Sequence, residues 1–148
     1  MLKKNIILWF SIVLVLFLAG CVSKPSVYSS TGDELNQTQE QFELFTITKD
    51  GSFQLDECKS RGLENKVIMF KSKYCGHCAA TLPIFLEVCR EMGVEPTILD
   101  MTVNEDKDEI KSHGLEIMYA PTFVFGCDYT VGAKTKEKYI SMCGLFLK

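Results

Sequence analysis

The run Val67-Ile68-Met69-Phe70 is apolar at every position, so a strand built from it is buried on both faces. A sheet buried on both faces needs helices on each side, and this one segment therefore points the domain towards an α/β layering. The flanking patterns agree. Phe42 to Ile47 is a β-rich run, Asp50-Gly51 marks a turn, and Ser52 is placed to cap a short helix through about Ser60. After Phe70 a longer helix is expected from about His77 to Met92, stopped by Gly93. Pro96 opens a strand over Thr97 to Met101, and Glu105 to His113 forms a polar helix. Thr122 to Phe125 is a third apolar strand, and Tyr129 to Val131 pairs with it after a short turn. Thr135 caps a last helix with Tyr139, Met142, Cys143 and Phe146 on one face. The order is β-α-β-α-β-α-β-β-α, and no internal repeat is visible.

The 148 residues suffice for one globular domain, and the formal charge of −3 offers no basic field to hold phosphates, so nucleic acid is not among the expected partners. Before the domain comes an address. Lys3 and Lys4 precede an apolar run from Ile6 to Ala19, too short to span a bilayer permanently and shaped as a signal peptide over residues 1–20. Leu18-Ala19-Gly20-Cys21 resembles the lipobox of prokaryotic lipoprotein precursors, which implies that Cys21 is lipidated and anchors the chain to the cell membrane. Residues 21–41 are rich in Ser, Thr, Gln and Asn and are expected to form a flexible tether ahead of a domain over 42–148. Asn36-Gln37-Thr38 fits a glycosylation sequon, a triplet frequent by chance. Export would place the six cysteines other than Cys21 where disulfides form and persist.

The chemistry gathers at Cys75-Gly76-His77-Cys78. Cysteines three apart at the mouth of a helix can close a small disulfide ring, the first exposed and the second tucked beneath. Unpaired backbone N–H groups and the positive end of the helix dipole favour a thiolate at Cys75. That thiolate attacks a partner's disulfide, and Cys78 then attacks Cys75 to release the product. His77 adds a dipole, or a charge when protonated, which stabilises the thiolate and makes the disulfide a better oxidant. Other readings are weaker. A structural bond over so short a loop removes little entropy from the unfolded chain. Zinc needs four ligands, and Cys58, Cys89, Cys127 and Cys143 are scattered singly. Haem attachment needs histidine where Ala79 stands.

With these residues the segment from Phe42 to Lys148 resembles the thioredoxin superfamily, and the tetrapeptide is that of protein disulfide isomerases. Pro83, eight residues after Cys75, stands where the family has its helix-kinking proline, and Tyr119-Ala120-Pro121-Thr122 looks like its cis-proline loop. Val131-Gly132-Ala133 before a Thr-capped helix is similar to the family's closing segment. The resemblance implies a thioredoxin-like α/β fold, with a central mixed sheet of four to five strands and helices on both faces. It also implies that Ala120, Pro121 and Thr122 position an extended substrate strand, with Tyr74 lining the groove. One position departs from the pattern: Met69 replaces the buried acid that relays a proton to the second cysteine, leaving Lys71 or Lys73 to tune the thiolate unless they are merely solvated charges.

The other cysteines keep several arrangements open. Cys89, three helical turns after Cys78, is expected to face the sheet and pack as a small hydrophobe, with Cys58 doing the same. Cys127 is compatible with bridging Cys143, and Cys143 with approaching Cys89. His113 is expected to be a solvated helix-end residue. The function implied is a lipid-anchored extracytoplasmic thiol–disulfide oxidoreductase, monomeric and without organic cofactor. Its partners would be cysteine-containing exported proteins and a membrane redox protein that resets the dithiol. Oxidation, isomerisation and reduction all fit these residues. Two competing classes are an exported metallochaperone, carrying a soft ion such as Cu(I) on Cys75, Cys78 and His77, and a redox-inactive peptide-binding module.

Overall fold

The computed structural model describes residues 43–148. The signal peptide, Cys21, the sequon and the tether lie outside the described residues. From Glu43 the chain runs β1 (Phe45–Ile47), β2 (Gly51–Ser52), α1 (Leu55–Ser60), β3 (Val67–Lys71) and α2 (Gly76–Glu91). It continues through β4 (Thr97–Asp100), α3 (Asn104–Ser112), β5 (Leu115–Ile117), β6 (Thr122–Phe125), β7 (Asp128–Val131) and α4 (Lys136–Phe146).

Five strands form the main sheet in the order β2-β7-β6-β3-β4, with β3 and β4 parallel and the other neighbours antiparallel. β1 and β5 form a separate parallel pair. The expected buried strand is central: Val67, Ile68, Met69 and Phe70 are all buried. Alternation divides its side chains between two cores. Ile68 and Phe70 join Val124, Leu99, Cys58 and Ile110 on the face covered by α1 and α3. Val67 and Met69 join Phe123, Phe125, Phe85, Val88, Tyr139 and Met142 on the face covered by α2 and α4. Phe85, Phe123 and Tyr139 meet there with ring centroids 4.9 to 5.7 Å apart, close enough for edge and tilted aromatic contacts.

Helix ends follow local chemistry. Thr135 Oγ1 accepts from the N–H of Lys138 as the expected cap of α4. α2 stops at Glu91, and Gly93 takes a positive φ of 69° that lets the chain turn away. Ser52, expected to cap the first helix, lies in β2 instead. The burial of Phe53, whose N–H donates to the carbonyl of Cys127, carries the chain past the sheet, and α1 starts after Gln54 without a side-chain cap. Asp50 turns the chain as expected, its Oδ1 accepting from the N–H of Val131 at 2.8 Å. His113 is buried rather than solvated. Its Nδ1–H donates to the carbonyl of Arg61 at 2.7 Å, and Lys66 Nζ stands 3.4 Å from Nε2. Arg61 is itself buried, donating to the carbonyls of His113 and Gly114 and to Glu57, so this cluster fastens α1 to the turn that ends α3.

Candidate active site

Cys75 is the N-cap of α2, and this fixes its sulfur before any tertiary contact is made. Its Sγ accepts from the N–H of Cys78 at 3.0 Å, satisfying one of the donors that a helix leaves unpaired at its first turn. The Cys75 N–H donates to the carbonyl of Ser72, so the loop after β3 closes into a turn that presents the sulfur. Cys75 and Cys78 are bridged, with their Cα atoms 5.2 Å apart. The two sulfurs are unequal in access: Cys75 is half-buried, whereas Cys78 is 2% exposed within the core on the α2 face.

The loop before β6 stands opposite. The Ala120–Pro121 bond is cis, and the carbonyl oxygen of Ala120 lies 3.3 Å from Cys75 Sγ. Two hydrogen bonds hold the loop: Thr122 Oγ1 donates to the carbonyl of Tyr119, and the N–H of Gly132 to that of Pro121, both at 2.7 Å. Thr122 and Pro121 are buried, so they shape the loop from beneath, while Ala120 is half-buried beside the sulfur. Tyr74 is 81% exposed next to the bridge, and Gly76 and His77 are exposed on the first turn of α2. Pro83 lies inside α2 on its exposed side. Reading the sequence missed Met118 and gave Tyr119, quoted within the loop, no role of its own; both are exposed there. Their signal is two large apolar side chains just before an Ala-Pro turn, where a core would want them buried.

Met69 is fully buried among apolar side chains, so no carboxylate takes the place of the relay acid. Two residues further along the strand Lys71 falls on the same face, at the end of β3 from which the active loop departs. It is an ion-paired group, not a free surface charge, since its Nζ meets Asp100 Oδ2 at 2.6 Å. Lys73 Nζ sits 5.0 Å over the Tyr74 ring. The hydrogen bond from Lys71, followed by those from the hydroxyl and N–H of Thr102, holds the Asp100 carboxyl well below the usual carboxylate range. A carboxylate with a lowered folded value contributes stability that is whole above its unfolded pKa of about 3.9 and is lost as pH falls through the folded value. Thermal unfolding followed from neutral to acid pH should therefore weaken from about pH 4 downward. Asp100→Asn should start less stable and lose less along that limb.

Of the remaining cysteines, Cys58 and Cys127 are bridged, with Cα atoms 5.3 Å apart. This corrects the expectation that Cys58 packs as a lone hydrophobe and closes the open alternative of a Cys127–Cys143 bond. The α1 face brings Cys58 under the β6–β7 turn, whereas Cys143 faces the opposite core. Cys89 and Cys143 are buried free thiols in the same core, an arrangement in keeping with the alternative that Cys143 approaches Cys89. No group of three or more metal-ligating side chains occurs among the described residues.

The thioredoxin family model matches residues 45–142. The chain belongs to the thioredoxin family. No curated protein matches it. Among matching solved structures is chloroplastic thioredoxin z, 17% identical, with 68% of this chain and 96% of that one covered and a TM-score of 0.46. A thioredoxin-family domain with two cysteines bridged at a helix N-terminus fits a general thiol–disulfide oxidoreductase.

Proposed function

We propose that the protein is a lipid-anchored, extracytoplasmic thiol–disulfide oxidoreductase that exchanges disulfides with cysteine-bearing exported proteins. The observation that carries the reading is the unequal pair: Cys75 half-buried at the helix mouth against the Ala120 carbonyl, Cys78 bonded to it from beneath. In the reduced enzyme the Cys75 thiolate attacks one sulfur of a substrate disulfide, and the other substrate sulfur leaves as a thiolate. Cys78 then gives up its proton and attacks Cys75 Sγ, releasing the second substrate sulfur. Two electrons have passed from the pair to the substrate; run backwards, the same steps oxidise a dithiol. A membrane redox partner resets the pair. The exposed Tyr74 precedes Cys75 and the exposed Met118 and Tyr119 precede Ala120 in the chain, a pattern that favours an extended substrate with apolar residues near its cysteine. His77, on the first turn, favours the thiolate and hence the reduced pair.

The location rests on the lipobox-like Leu18-Ala19-Gly20-Cys21 and is supported by Cys58–Cys127, a bond of the kind that persists in oxidising compartments. The proposed attachment is Cys21; no helix among the described residues is long and apolar enough to cross a membrane. Two measurements test the reading. Purified protein should catalyse insulin reduction by dithiothreitol, and its Cys75–Cys78 couple should equilibrate with glutathione buffers. No catalysis under either oxidising or reducing conditions would refute the activity. In cells, the full chain should partition into the detergent phase on Triton X-114 extraction, and Cys21→Ser should move it to the aqueous phase. An unchanged partition would remove the lipid anchor.

A further inference from the structure

Disulfide exchange at Cys75 leaves two sulfurs unused. Cys89 lies on α2 and Cys143 on α4, 54 positions apart in the chain, and both are fully buried in the core that also holds Cys78. The two helices pack directly on each other, and the two thiols are neighbours in the core between them. A lone buried cysteine is ordinarily a small hydrophobe. Two that neighbour each other in the core between packed helices are placed for a different chemistry.

We propose that Cys89 and Cys143 form a second redox site, a buried dithiol that small-molecule disulfides oxidise to a third intramolecular bond, clamping the helix that carries Cys75 and Cys78 to the C-terminal helix.

The two thiols are chemically alike neighbours in one core, so either can attack first while the other resolves the intermediate. Local opening of the contact between α2 and α4 uncovers both thiols at lower cost than global unfolding. The thiolate of one attacks a small disulfide R–S–S–R, and one RS⁻ leaves to give a mixed disulfide. The other loses its proton and attacks the first protein sulfur, expelling the second RS⁻. Two protein thiols are oxidised to one bond and one small disulfide is reduced to two thiols. Closing the helix joins α2 to α4, at the end of α2 remote from Cys75.

The test uses the full domain with oxidised and reduced glutathione at increasing ratios, followed by acid quenching, denaturation, alkylation with N-ethylmaleimide and peptide mass mapping. The expected result is a linked Cys89–Cys143 peptide that rises with the ratio, together with a higher melting temperature of the oxidised form. The link should also form in Cys75→Ala/Cys78→Ala, because the proposed oxidant is the small disulfide. The proposal thus stands or falls apart from exchange at Cys75. It is overturned if both thiols remain alkylatable at every ratio, or if they end as separate glutathione adducts. It is equally overturned if either cysteine is found joined to a different one. Since the wild-type protein carries the decisive measurement, it does not depend on whether Cys89→Ser or Cys143→Ser folds.

Discussion

Cys75→Ser should leave a folded protein whose disulfide-exchange turnover has fallen by the order of 10³-fold or more, to the uncatalysed background. The fold should survive because serine is a favoured N-cap: its hydroxyl can accept from the N–H of Cys78 as the sulfur does now, and α2 keeps its first turn. The chemistry should not survive. A serine hydroxyl is not appreciably ionised near neutrality and forms no disulfide, so neither the attack nor the mixed intermediate is possible. Other sulfurs offer a protein substrate no detour, because Cys58 and Cys127 are bonded to each other and Cys89 and Cys143 lie inside the core, out of reach of a protein disulfide. Cys78→Ser supplies the contrast. It keeps the nucleophile and loses the resolving thiol, so substrate should accumulate in a mixed disulfide with Cys75, visible as a reductant-sensitive band on a non-reducing gel. Insulin turnover and circular dichroism on the same preparations check both statements. Full turnover in Cys75→Ser with native dichroism would remove Cys75 from the mechanism.

What the sequence discloses about this site is what short-range geometry determines. An i,i+3 cysteine pair at a helix start places one sulfur on the cap and the other on the inner turn whatever the rest of the chain does. The β3 run alternates between two cores because consecutive strand residues face opposite ways. Ala120-Pro121 marks a loop by its residue types alone. Features that depend on distant partners were not legible. β5 is three residues long, too short to show a period, and exists because Leu115 to Ile117 pairs with Phe45 to Ile47 some seventy positions earlier. His113 looks solvated beside polar helix residues, and is buried because the carbonyl of Arg61 reaches it from α1's end. Thr122 looks like part of a substrate surface by its place after the proline, but its hydroxyl turns inward to Tyr119. The Cys58–Cys127 pairing belongs to the same class, since spacing alone leaves every connectivity open.

That bond carries the second large effect. Replacing both partners, Cys58→Ala with Cys127→Ala, should lower the free energy of unfolding by about 4 kcal/mol, because the bridge closes a loop of 69 residues whose freedom the unfolded chain would regain. Against the roughly 5 to 15 kcal/mol typical of a domain, about a quarter or more of the stability would go. The native side of the balance should change little. Cys58 is fully buried but small, so alanine leaves a minor cavity, and Cys127 sits half-buried in the β6–β7 turn. The turn itself is held by Gly126, whose φ of 60° and approach to the Glu64 carbonyl suit glycine and not a larger residue. Catalysis should be spared at temperatures where the variant is folded, for Cys58 lies in the core under α1 and α3, whereas Cys75 packs on the opposite face of the sheet. Urea unfolding of wild type and double variant, paired with insulin turnover, separates the two roles. The expected outcome is a much lower urea midpoint with unchanged turnover. A midpoint equal to that of wild type would mean that α1 and the β6–β7 turn stay together without the bond. A loss of turnover in the folded variant would instead tie this bridge to the chemistry across the sheet.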